Sequence, residues 1–263
     1  MKDIKNLLVL LLFFFWGATA VGQYAYFPTQ GTITYDKTVF LKNLLKRYAT
    51  YAKDEDTRNS IKEMMGQIPE NQVLKKKLTF SNDEVLYEHI AEEYSDVVSG
   101  LMRSGIFESG ISGYQNLKSK AFNSVFELGG ERVVVADSTL KIKWKITNEY
   151  REIAGYPCRR ANGLVLDSIY AVAFYTDQIP VSGGPSAFNG LPGMILGLAV
   201  PELHYNMFAT KVELGAVNPS SATLLKKKDK PLTRQQVYDK LKASFGDYLG
   251  IKIYNLVMAC TFL

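Results

Sequence analysis

A chain of 263 residues, 47% apolar and 22% charged, is long enough to bury a substantial core. Its formal charge of +5 is too mild to imply a nucleic-acid partner, and the dense basic runs Lys75-Lys-Lys77 and Lys226-Lys-Lys228 carry no interleaved aromatics. They read as a solvated strand edge and a charged surface loop. Two histidines (His89, His204) and two cysteines (Cys158, Cys260) leave no Cys-x-x-Cys, no His-x-x-x-His and no Asp-rich loop, so neither a metal nor a cofactor is expected.

Residues 1–22 have the three-part layout of a secretory signal peptide: Lys2 and Lys5, an apolar run Leu7–Trp16, then small residues with cleavage expected before Gln23. The run is too short to cross a bilayer as a helix, which needs about 20 apolar residues. Cleavage would leave 23–263 as a single periplasmic or extracellular domain, not an integral membrane protein. Losing two lysines and one aspartate would take the charge from +5 to +4. In an exported chain Cys158 and Cys260 could form a disulfide or remain two thiols.

Thr32–Val39, rich in β-branched residues, predicts a first strand. Phe40, Leu44, Leu45, Tyr48 and Tyr51 then recur at helical spacing, and a second helix capped by Asp54 or Asp56 carries Ile61, Met64 and Met65. This pair, 40–66, reads as a helical insertion between the first two strands. Leu74–Phe80 and Val85–Ile90 flank a polar turn and predict a hairpin. Ser-Gly pairs punctuate 91–120, which favours loop over regular structure.

Ala121–Leu128 and Arg132–Ala136 predict a second hairpin around Gly129-Gly130. Leu140, Ile142, Trp144 and Ile146 alternate with Lys141, Lys143, Lys145 and Thr147, the pattern of a half-buried strand. Tyr170–Thr176 is nearly all apolar, as expected of a strand covered on both faces. Leu203–Leu214 alternates again. Thr233-Arg-Gln-Gln236 has capping-box form and opens a C-terminal helix near 233–246, with Gly246 suited to its end.

The segment Ser182–Leu198 concentrates Gly and Pro among apolar residues, so it reads as shaped backbone. It is no phosphate loop, because Met194 and Ile195 stand where Lys-Ser/Thr would be required. No Gly-x-Ser-x-Gly elbow surrounds Ser186, and Cys158 with His204 is the one thiol pair to consider. The structural reading is a loop that turns the chain and seals the sheet. The functional one is a groove for a ligand or partner lined by Gly184, Pro185, Phe188, Gly190, Leu191, Pro192 and Gly193.

Four segments in one order carry a resemblance: Ile142-Lys-Trp-Lys-Ile146, Gly155-Tyr-Pro-Cys-Arg-Arg-Ala161, Ala173-Phe-Tyr-Thr-Asp-Gln-Ile-Pro180 and Gly190-Leu-Pro-Gly-Met-Ile195. The chain resembles the GLPGLI family of exported Bacteroidetes proteins, most strongly over about 140–200. Met194 replaces the family's usual Leu, a volume-conserving swap. The resemblance implies an exported β-rich protein and assigns no catalytic residue.

The expected fold is mainly β (α+β): a curved antiparallel sheet of roughly eight or more strands, as a half-barrel or open barrel, with the helices on one face. The expected function is non-enzymatic binding of an envelope protein or a small apolar or peptide ligand, with abundant aromatics to line a groove. The rivals are a hydrolase or thiol enzyme using Ser186 or Cys158, and a purely structural component of an envelope assembly.

Overall fold

A computed structural model describes residues 27–104, 107, 110–128 and 130–263. The expected signal peptide lies outside them, as does Gly129. Eleven strands form one open antiparallel sheet: β1 (Gln30–Val39), β2 (Gln72–Ser81), β3 (Glu84–His89), β4 (Ser112–Asn116), β5 (Ala121–Leu128), β6 (Glu131–Ser138), β7 (Lys143–Ile153), β8 (Tyr156–Val165), β9 (Ile169–Thr176), β10 (Met194–Val200) and β11 (Tyr205–Leu214). Helices α1 (Leu41–Tyr51) and α2 (Glu55–Gln67) separate β1 from β2. Helix α3 (Asp96–Ser104) follows β3, and α4 (Arg234–Leu249) and α5 (Ile251–Phe262) close the chain.

The strand order is β6-β5-β4-β3-β2-β1-β11-β10-β9-β8-β7. Two runs of consecutive strands thus meet where β1 pairs with β11, and β6 and β7, neighbours in sequence, stand at opposite edges. A flat sheet would hold those edges about 48 Å apart. The link from Ser138 to Lys143 can span at most about 18 Å. The sheet therefore curls until its edges approach without pairing. The β6 edge is covered: the Ala136 amide donates to Leu232 O at 2.9 Å, and the Leu232 amide to Val134 O at 2.9 Å.

One face of the sheet carries the core. β1 alternates half-buried and buried residues along its whole length. Leu41, Leu44, Leu45 and Tyr48 of α1 pack on this face, with Val98 and Leu101 of α3 and Ile253, Leu256 and Ala259 of α5. Helices α4 and α5 cover Phe122, Phe126 and Val135 through Val237, Tyr254 and Met258. On the other face Leu224 covers Leu86, Tyr114, Val125 and Val134. At β9–β11 that face is covered by the end of the β7–β8 hairpin. The Arg151 guanidinium sits 4.7 Å over the Phe208 ring, and Ile153 Cδ1 lies 2.8 Å from where a side chain on Gly197 would begin.

Several expectations are corrected. Residues 91–120 hold α3 and β4 despite their serines and glycines. β9 is buried along its whole length on one face only: Ile169, Ala171, Ala173 and Tyr175 point inward, while on the other face burial falls from Thr176 to the exposed Tyr170. Cover on the outer face is partial: Val172 and Phe174 are half-buried, with the Arg151 guanidinium 5.9 Å over the Phe174 ring, and Tyr170 lies beyond that cover. In β7 Trp144 is half-buried and Ile146 exposed, because an edge strand lacks a neighbour on one side and a bulge between Ile146 and Tyr150 tilts it away.

Lys75-Lys-Lys77 is no solvated strand edge. β2 lies inside the sheet, and the period of two turns Lys76 fully inward while Lys75 pairs with Asp36 at 2.6 Å. The predicted capping box is present: Gln236 N–H donates to Thr233 Oγ1 at 3.1 Å, and Thr233 N–H to Gln236 Oε1 at 2.8 Å. Helix α4 nevertheless runs past Gly246 to Leu249. It breaks at Gly250 (φ 75), and α5 follows, a helix the chain's last apolar run did not announce.

Candidate functional site

The glycine- and proline-rich segment between β9 and β10 folds inside the curl of the sheet. It has no regular structure, so its backbone groups are satisfied locally. The amides of Gly190, Met194 and Ile195 donate to the carbonyls of Ser182, Ile179 and Gly183, each at 3.0 Å, and Phe188 N–H donates to Pro185 O at 3.2 Å. Ser182 Oγ donates to Leu191 O at 2.6 Å. At Gly193 a side chain would begin 2.1 Å from Thr176 O, so only glycine fits.

Three side chains from distant parts of the sheet fasten this loop. Gln115 on β4 is buried; its Nε2 donates to Ser186 O at 2.9 Å, and its Oε1 accepts from Asn189 Nδ2 at 3.2 Å. Trp144 on edge strand β7 donates Nε1–H to Asn189 O at 2.8 Å. Tyr35 on β1 donates its hydroxyl to Ile195 O at 2.7 Å. In a flat sheet β4 and β7 would be about 38 Å apart. Both reach Asn189. The loop is a bolt across the inside of the curl.

Of the seven residues expected to line a groove, Gly184, Pro185, Phe188, Leu191 and Gly193 are buried, and Gly190 and Pro192 are exposed. The surface of this loop is therefore the Gly190–Pro192 turn beside the half-buried Trp144 ring, which lies flat on Gly163. Gln115, Asn189 and Trp144 were not singled out for this role by sequence. Gln115 stands in a five-residue strand without apolar alternation, and Asn189-Gly190 reads simply as a turn.

Among the described residues no hydrogen bond joins Ser186 or Cys158 to His89 or His204. Ser186 is buried at φ 55 and its carbonyl is held by Gln115. The Cys158 thiol donates to Tyr156 O at 3.4 Å, and burial pushes its pKa up to about 12. His204 caps the 3-10 turn Pro201–Leu203, where burial and then Arg47 lower its pKa. Both cysteines are buried and free, which settles the disulfide question in favour of two thiols.

A second polar cluster lies on the buried side of β1–β3. Lys37 on β1, Lys76 on β2 and His89 on β3 face the same buried side, with Lys76 directly across from His89. The Lys37 ammonium sits 4.1 Å over the Tyr205 ring. Burial lowers Lys37 to about 8, and burial followed by the charges of Lys76 and Lys37 lowers His89 to about 4. Separately, a groove of about 400 Å³ lies between α2 and α3, lined by Glu63, Met64, Val97 and Leu101 among others. Among the described residues no group of three His, Cys, Asp or Glu could hold a metal, and no helix is long and apolar enough to cross a membrane.

Sheet, bolt and covering helices define a mainly β protein built on an open antiparallel sheet. A family model described as a protein of unknown function (Porph_ging) matches residues 164–197, from the last two residues of β8 through the β8–β9 turn, β9 and the bolt into β10. The match falls within the region that carries the GLPGLI resemblance and is consistent with it. No curated protein matches. Among solved structures, PNGF-II in a C2 crystal form is 17% identical with a TM-score of 0.52, covering 82% of this chain and 33% of that one. PNGF-II in a P21 form gives 17% identity and a TM-score of 0.49, covering 80% and 32%. The likeness is one of fold, and this chain spans about a third of the length of those it resembles.

Proposed function

We propose that this protein is an exported, non-enzymatic accessory of the cell envelope, a member of the GLPGLI family whose sheet forms an open barrel with α1 and α2 as an insertion. It binds a protein or peptide partner through the surface where the bolt meets edge strand β7. The observation that carries this reading is the Trp144–Asn189 hydrogen bond. It fixes Gly190, Pro192 and the Trp144 ring into one rigid patch, and a preformed surface loses little entropy on docking. The raised pKa of the buried Cys158 thiol and the absence of a hydrogen bond from Cys158 or Ser186 to either imidazole, among the described residues, support a binding role over a hydrolytic or thiol one.

Two measurements test the proposal. The protein should fractionate outside the cytoplasm with an N-terminus at Gln23; a cytoplasmic chain beginning at Met1 would overturn the export reading. A photocrosslinker at Pro192 should capture one discrete envelope protein or peptide, while the same group at exposed Lys62 on α2 should not. Equal capture at both positions, or none at Pro192, would overturn the binding surface.

A further inference from the structure

The turn joining β8 to β9 breaks a local rule. The Ser168 amide donates to Val165 O at 3.3 Å, and both central residues have positive φ: Leu166 at 48° and Asp167 at 62°. That is the pattern of a type I′ turn, which favours Asn-Gly. A leucine there is strained, and its side chain is directed outward, 38% exposed. Leu164 and Tyr170, paired directly across the hairpin, are 43% and 40% exposed beside it. The sequence thus keeps an unfavourable apolar residue at the tip where a favourable polar one would fit.

Cations flank this apolar tip. Lys143 lies directly across from Leu164, and Lys145 from Asn162. Lys141, just before β7, is exposed as they are. None of the three lysines joins an ion pair or side-chain hydrogen bond among the described residues. Nearby Arg160 is matched by Glu149 at 2.6 Å, and Asp167 is the carboxylate of the turn itself.

The geometry points to a peripheral docking site for an anionic phospholipid surface, with Leu166, Leu164 and Tyr170 entering the interface and Lys141, Lys143 and Lys145 meeting the headgroups. Unpaired lysines beside a small apolar tip with an interfacial tyrosine match such a surface in charge and in depth. A protein partner fits less well. Three side chains at about two-fifths exposure offer on the order of 200 Å², against the roughly 800 Å² per partner of a specific protein interface. This site is separate from the Gly190–Pro192 patch and does not depend on it.

The test is co-sedimentation of the chain with phosphatidylcholine vesicles, with and without a phosphatidylglycerol fraction of about a quarter. All variants share one N-terminus, so residues 1–26 contribute equally. The wild type should bind the anionic vesicles more tightly and lose that preference in high salt. Each of K141E, K143E and K145E should weaken binding about fivefold. Leu166→Asn is the decisive variant: it should melt at or above the wild-type temperature, because the strain is relieved, yet bind about fivefold to tenfold more weakly. Equal binding to both vesicle types, no effect of the lysine variants, or unchanged binding by Leu166→Asn would overturn the proposal. So would capture of a protein through Leu166 without any dependence on lipid.

Discussion

Trp144 and Asn189 are 45 residues apart, and a 2.8 Å hydrogen bond from indole to main-chain carbonyl ties the edge of the sheet to the loop inside it. The same ring rests on Gly163, its Cζ3 being 2.5 Å from where a side chain there would begin. Trp144→Ala should cost about 2–3 kcal/mol, less than a fully buried tryptophan because one side of the ring meets water. Trp144→Phe, keeping most of the packing but not the donor, should cost about 1 kcal/mol. Chemical denaturation of the two variants measures both.

Gly193 and Gly190 should respond differently to alanine. At Gly193 the new Cβ would overlap Thr176 O at 2.1 Å, a main-chain atom that cannot swing aside. At Gly190 (φ 93) the nearest atom is 3.7 Å away, so strain in the backbone is the main cost. Gly193→Ala should prevent folding or remove more than about 3 kcal/mol, and Gly190→Ala about 1–2 kcal/mol. Thermal melts of the pair decide whether overlap or φ dominates.

Gln115 is buried with partners at both ends of its amide. Gln115→Leu fills the same space but leaves Ser186 O without its donor, and should cost about 2–3 kcal/mol. Because Gln115 and Trp144 both act on Asn189, combining Gln115→Leu with Trp144→Phe should be non-additive by more than about 0.5 kcal/mol. A double-mutant cycle reads the coupling directly.

Cys158 and Cys260 are buried thiols whose pKa values burial raises to about 12 and about 11. Neither is a thiolate at neutral pH, so neither should alkylate in the native protein. Intact mass after iodoacetamide should show no adduct in buffer and two adducts in denaturant without reductant. A protein that resists alkylation even when unfolded would contain a disulfide.

His89 links stability to pH. Burial and the charges of Lys76 and Lys37 lower its pKa from 6.5 to about 4, so between those values the unfolded chain binds a proton that the folded chain does not. Its contribution is therefore complete above about pH 6.5 and lost as pH falls toward 4. The loss should be on the order of 2 kcal/mol, after discounting for the ring's partial contact with water. His89→Gln should flatten this part of the stability profile relative to wild type.

Most strands were legible because their period of two survives in sequence. The β2–β3 and β5–β6 hairpins and the alternating β11 fell where polar turns and apolar alternation placed them. Legibility failed where tertiary context overrides local pattern. Lys76 is buried though it stands among lysines, and Ile146 is exposed because β7 is an edge. Nothing in the sequence of β4 or β7 announces that Gln115 and Trp144 meet at Asn189, since that follows from the curl. The loop was legible as shaped backbone. Which of its residues remain outside was not, because burial there depends on strands far away in the chain.

Ser182–Ile195 is a fixed bolt and not a mobile lid. Native-state hydrogen exchange at the amides of Gly190, Met194 and Ile195 tests it most directly, because each is held by a carbonyl of the same loop region at 3.0 Å. The three amides should open only with global unfolding, sharing the protection of the β1–β11 ladder and the denaturant dependence of the whole domain. Exchange at a lower free energy, independent of denaturant, would show that the loop opens by itself and is no bolt.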